Sequence, residues 1–131
     1  MLTESELLAI AAARLEDAQI LLANSRHDGA RYICGYAVEF ALKARICGTL
    51  GWAEYPATRK EFENLTSFKT HNLDILLRLS GREHHVKANF FFEWSIINAW
   101  NPESRYEPAG TVSPVQAQEF LSAAVTLTSQ L

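Results

Sequence analysis

Three parts of the chain combine residue types and spacings that chemistry can use. Glu39 and Lys43 stand four apart, in the order that favours an ion pair along a helix. On a surface such a pair contributes about 0.2–0.5 kcal/mol. Their neighbours Ala37, Val38, Ala41 and Leu42 are apolar, however, and an unpaired charge among them would be costly. Glu39 and Lys43 therefore also qualify as organisers of a polar groove. His71 has an unperturbed pKa of about 6.5 and can carry a proton near neutrality. Its plainer role is a hydrogen bond to its own helix N-terminus or a neighbouring loop. That role is favoured, because the sequence shows no carboxylate placed to orient the ring. Arg105 and Tyr106 offer a guanidinium fork for phosphate with an aromatic hydroxyl beside it. The plainer alternative is a surface pair between Arg105 and Glu103 or Glu107.

Arg78 and His84 are six apart, and Gly81 between them is a helix stop. Glu83, His84 and His85 are consecutive; side chains of adjacent helical residues diverge by about 100°, so this run is not a metal site. No metal and no cofactor is expected. Glycine-rich dinucleotide, P-loop and nucleophile-elbow motifs are all missing.

A length of 131 residues corresponds to one domain, 1–131, and 48% hydrophobic with 21% charged residues places it among globular chains. The formal charge of −3 gives no overall electrostatic footprint for nucleic acid. Cys34 and Cys47 lie in helical, alanine-rich surroundings and read as small buried hydrophobes. No apolar run approaches the roughly 20 residues that span a bilayer. No membrane contact and a reducing cytoplasm are the expectations.

These side chains must be positioned by helices. Thr3 with Glu6 has capping-box spacing, and Leu8, Ala11, Leu15, Ala18 and Leu22 then form one apolar stripe, ending at Asn24-Ser25. A second helix, about Ala30 to Thr49, is apolar on more than one side. Ala30, Cys34, Ala37, Ala41, Ala44 and Gly48 make a small-residue stripe that admits a close neighbour, within the chain or from a second subunit. Residues 50–69 form a long connection with one helical turn at Lys60–Leu65. Thr70 caps a short helix carrying Leu73, Leu76, Leu77 and Leu79, closed by Ser80-Gly81. Glu83 to Trp100 forms a fourth helix whose Phe90, Phe91, Trp94 and Trp100 are core and interface rather than a base-stacking platform. After a loop, Ser113-Pro114 with Gln116 starts the last helix, whose apolar face holds Val115, Phe120, Ala124 and Leu131. The fold class is all-α: a four- to five-helix, up-and-down antiparallel bundle.

The stretch from Tyr32 to Ile46, with Ala37-Val38-Glu39 and Ala41-Leu42-Lys43-Ala44, resembles the second helix of HEPN domains. His71-Asn72-Leu73 with Leu76-Leu77 resembles that family's His-x-Leu-x-x-Leu segment, and Arg105-Tyr106 resembles its Arg-Tyr element. The pieces occur in the family's order over nearly the whole chain. The resemblance implies a helical bundle that homodimerises around a groove. It also implies a place among ribonuclease toxins, partners of small nucleotidyltransferase-like proteins, and nucleotide binders. The ribonucleases carry an Arg followed four to six residues later by His near the start of a late helix, and no His follows Arg105. The reading that results is a non-catalytic dimeric bundle. It binds a nucleotide, another phosphate-bearing ligand or a nucleotidyltransferase-like partner through Glu39, Lys43, His71, Arg105 and Tyr106. The alternatives are a metal-independent endoribonuclease acting on RNA, with Arg105, His71, Arg78 and His84 as the candidate catalytic residues, and a pure assembly module.

Overall fold

The computed structural model describes residues 1–131. Its main elements are helix α1 (Glu4–Ala23), α2 (His27–Leu50), α3 (Leu73–Ser80), α4 (Glu83–Asn89), α5 (Phe91–Ile97) and α6 (Pro114–Gln130). The fold is an all-α bundle, as the patterning implies. Both capping boxes form: Thr3 with Glu6 opens α1, and Ser113 with Gln116 opens α6 behind Pro114. Gly51 at φ 68° and Gly81 at φ 75° end α2 and α3 in the left-handed conformation that a side chain disfavours.

Helix α2 is the axis of the molecule, packed by α1, α3 and α6, while α5 closes against α6. Ala30, Cys34, Ala37, Ala41 and Ala44 of the small-residue stripe are all buried within the one chain, and only Gly48 at its end is exposed. The stripe therefore serves internal packing, where small side chains let neighbouring backbones approach α2 closely.

Several local expectations are corrected. Helix α2 begins at His27 rather than Ala30, with Asp28 in its first turn. The cap of α3 is Asn72, whose side chain accepts from the Ile75 amide; Thr70 instead accepts from the Asn72 amide. The helix expected over residues 83–100 is two helices, broken at Phe90, whose backbone (φ −133°, ψ 35°) leaves the helical range. The break turns Phe91 and Phe92 out, 67% and 69% exposed, so Phe91 is not core, while Trp94 and Trp100 are. Leu8 and Val115 are also exposed; Leu7 and Ala117 face inward in their place.

The long connection is more ordered than its composition suggests. Strand β1 (Leu2–Thr3) pairs antiparallel with β2 (Glu54–Tyr55), with Leu2 opposite Tyr55. The expected turn near Lys60–Leu65 forms, and a 3-10 turn follows at Thr66–Phe68. Buried Tyr55 donates its hydroxyl to the Phe68 carbonyl (2.7 Å), and Trp52 packs on Phe68. The connection is thereby folded back over α2.

The other loop is fastened at one residue. The carboxylate of Asp28 accepts from the amides of Gly110 (2.6 Å) and Val112 (2.9 Å). These bonds, that from Gly110 first, hold its pKa below the ordinary value of 3.8. A folded-state pKa below the unfolded one stabilises above the unfolded value and loses that contribution as pH falls through the folded one. The Asp28 contribution is thus complete at neutral pH and disappears below about pH 4. Asp28→Ala is expected to free residues 107–112 at pH 7. Amide exchange at Gly110 and Val112 should then accelerate at least tenfold; unchanged protection would mean that the loop is held by something else.

Candidate functional site

Glu39 is the only carboxylate in the core. It is 1% exposed, on the side of α2 that faces the folded-back connection. A carboxylate so placed needs a partner for each oxygen, and it has them. Its Oε2 accepts from the Lys43 ammonium at 3.1 Å, one helical turn on, and its Oε1 lies 2.7 Å from His71 Nδ1. His71 stands just ahead of α3, 32 residues from Glu39. A carboxylate that already holds an ammonium has no proton to give, so Nδ1 is the donor and Nε2 stays open. The ring is held at its inner edge, yet its side chain remains 58% exposed. The orienting carboxylate that the sequence did not reveal for His71 is Glu39.

The same α2 face carries Tyr36 and Tyr32, each one turn further back. Tyr36 stands edge-on to His71 (6.2 Å between ring centroids) and to Trp100 (5.0 Å). Its hydroxyl lies 3.4 Å from that of Tyr32. Burial, then the Tyr32 hydroxyl, pushes the Tyr36 pKa up to about 12, so it is a neutral phenol at any physiological pH. Trp100 donates its indole N–H to the Tyr32 carbonyl at 3.1 Å.

Beside Glu39 opens a cavity of about 500 Å³. Its walls are Leu2, Leu7, Tyr36, Phe40, Tyr55 and Phe62, and its polar groups are Glu39, Lys43, Lys69, Thr70 and His71. That combination, mainly apolar walls with a few convergent polar groups, is what small-molecule sites share. Lys43 Nζ lies 5.8 Å from the Phe40 ring and 5.5 Å from the Tyr55 ring, so aromatic faces flank it as well as Glu39. A second cavity of about 340 Å³ lies on the other side of His71, lined also by Trp100, Asn101 and Pro102.

Arg105 and Tyr106 do not join this group. They lie in a 3-10 turn, Pro102–Tyr106, rather than in open loop, and Arg105 lines a separate cavity of about 280 Å³ with Arg31 and Tyr32. The Arg105 guanidinium donates to the Pro102 carbonyl (3.0 Å) and the Tyr106 hydroxyl (3.3 Å), and its carbon stacks 4.6 Å from the Tyr106 ring centre. Glu103 is the nearer of the two suggested carboxylates, at a loose 3.8 Å.

No hydrogen bond joins Arg78 and His84. Gly81 ends α3 between them, and the Arg78 guanidinium is held by Asp74 (2.6 Å) and Glu83 (3.2 Å), which Lys87 also bridges. His84 is exposed, and its neighbour His85 packs toward Phe90 (5.8 Å between ring centroids). Of the residues singled out in the sequence, the structure brings together Glu39, Lys43 and His71. It adds Tyr36, Tyr55 and Lys69. Tyr32, Tyr36, Glu39 and Lys43 recur at steps of four, three and four, so a polar-aromatic stripe on α2 was there to be found. Nothing local marks Lys69.

The fold and the site define an α-helical bundle whose polar centre is a buried carboxylate on its axial helix, shared between a lysine and a histidine. The chain belongs to the HEPN domain family, which matches residues 4–129. Comparison with curated proteins and with solved structures gives no significant match. No helix is long and apolar enough to cross a membrane.

Proposed function

We propose that this domain is a binding module for a phosphate-bearing ligand of the nucleotide class, taken up in the cavity beside Glu39. The observation that carries the reading is the buried carboxylate that fixes Lys43 and His71 at the edge of an aromatic-walled cavity. The walls suit a planar ring, and the cavity's other lysine, Lys69, with a His71 ring that donates from Nε2 when doubly protonated, suits an anionic or polar group. Membership of a family whose domains often dimerise, together with the exposed Phe91 and Phe92 on α5, supports a homodimer. A nucleotidyltransferase-like partner presenting such a ligand falls within the same reading.

Titration calorimetry with AMP tests it, with light scattering on the same samples. Wild type is expected to bind as a dimer. His71→Ala is expected to bind about tenfold more weakly, the loss of the charge-assisted hydrogen bond that Nε2 donates when the ring is doubly protonated. No heat with wild type, or equal affinity in the variant, would remove the cavity from consideration.

The Glu39–His71 contact favours one second reading, metal-independent cleavage of RNA. An imidazole whose Nδ1 is held by a buried carboxylate presents Nε2 as a base for a 2′-hydroxyl. In that case His71→Ala abolishes cleavage of a single-stranded RNA while the Arg105→Ala and His84→Ala variants retain it. Cleavage surviving in His71→Ala would exclude the reading.

A further inference from the structure

The structure assigns a direction to the ligand in the Glu39 cavity: ring at the closed end, phosphate at the open end, anchored by Lys69. The inference rests on the nucleotide-class reading above and takes a nucleoside monophosphate as the simplest ligand of that class. It follows from how burial and charge change along the cavity. At the closed end Leu7, Tyr55 and Phe62 are 1%, 1% and 8% exposed. A phosphate placed there would lose its hydration. It would also meet the Glu39 carboxylate, whose charge the single Lys43 ammonium already balances at 3.1 Å. No net positive charge is left inside to receive it.

The open end is different. Lys69 is exposed, lines the cavity, and has no carboxylate within 4.0 Å, so its charge is uncompensated by the protein. Two residues on, His71 lines the same cavity with no protein partner on Nε2, and Thr70 lines it between them. The Lys69 ammonium and the Thr70 hydroxyl at the solvent end, joined by His71 Nε2 when the ring is doubly protonated and both nitrogens donate, make an anion subsite, and phosphate there keeps part of its water. The ring is left to the apolar interior between Phe40, Tyr55 and Phe62, where burial of a planar face is favourable.

The experiment compares AMP with adenosine on wild type, Lys69→Met, Lys69→Arg and Lys43→Met, by calorimetry at low and moderate salt. Lys69 is exposed, and methionine keeps its length, so the fold is unaffected. Wild type is expected to prefer AMP to adenosine by about tenfold, a preference that shrinks with salt. Lys69→Met should bring AMP to the adenosine level and leave adenosine unchanged, and Lys69→Arg should restore the preference. An AMP preference unaltered in Lys69→Met overturns the assignment while leaving the cavity a nucleoside site. Loss of the preference in Lys43→Met but not Lys69→Met places the phosphate at the closed end and overturns it too. If neither compound binds wild type, the cavity reading and the direction fall together.

Discussion

Gly35→Ala is expected to destabilise the domain by about 3 kcal/mol, although alanine is the better helix former. Gly35 is buried on α2, and the Trp100 indole lies flat against its backbone. A Cβ built there falls well inside van der Waals contact with the indole atoms Cε2, Cδ2 and Nε1. The colliding group is a rigid ring, 5% exposed and closed in by the core, so no flexible end can swing aside. Trp100 has to withdraw, and with it go its hydrogen bond to the Tyr32 carbonyl and its edge contact with Tyr36. Overpacking of this kind costs roughly 1–3 kcal/mol or more, and the lost hydrogen bond about 1. The gain in helix propensity returns about 1.

For a chain of this length the loss corresponds to roughly 10 °C in Tm. Denaturant unfolding followed by tryptophan fluorescence would read both stability and the displaced indole. Trp100→Leu in the Gly35→Ala background should recover part of the loss, because the two residues compete for one volume. A Gly35→Ala variant as stable as wild type would mean that the indole is not seated on α2. Because Trp100 also lines the cavity next to His71, the same substitution should disturb the site without touching a charged residue.

What was legible in the chain was what is decided locally. The capping boxes at Thr3 and Ser113, the helix stop at Gly81 and the central role of α2 each depend on residues within one or two turns. The break at Phe90 was not legible, because no glycine or proline marks it and a 3.6-residue pattern runs through Phe90, Trp94 and Ile97. It shows in the structure as a change of backbone at one residue, and it is why Phe91 and Phe92 face outward. For the site, Glu39 and Lys43 were legible as a pair because they are one turn apart. Their third member was not: His71 reaches Glu39 across 32 residues, and Asp28 reaches Val112 across 84. Spacing rules carry no information over such separations, and so His71 looked like a histidine without a carboxylate. The Gly35–Trp100 contact is hidden for the same reason.

The second large effect concerns Glu39 itself. Glu39→Ala is expected to destabilise the domain by about 3 kcal/mol, the low end of the 3–5 found on removing one partner of a buried ion pair. It leaves Lys43, 13% exposed, without its carboxylate, and releases the inner edge of His71. The low end applies because Lys43 can turn its ammonium partly toward water and keeps the Phe40 and Tyr55 faces beside it. Lys43→Met should cost a similar amount, since Glu39 would then share its buried charge with His71 alone. The double variant Glu39→Met/Lys43→Met, which removes both charges and fills the volume, should recover most of the stability. A coupling of 2 kcal/mol or more between the two positions in a double-mutant cycle is the expected result, and additive losses would mean that the ion pair is not formed. Stability and binding should then separate. The double variant folds, yet nothing orients His71, so its affinity for AMP should fall to that of His71→Ala. A buried pair that can be removed with little loss of fold but with loss of ligand is one whose role is to hold the imidazole edge in place.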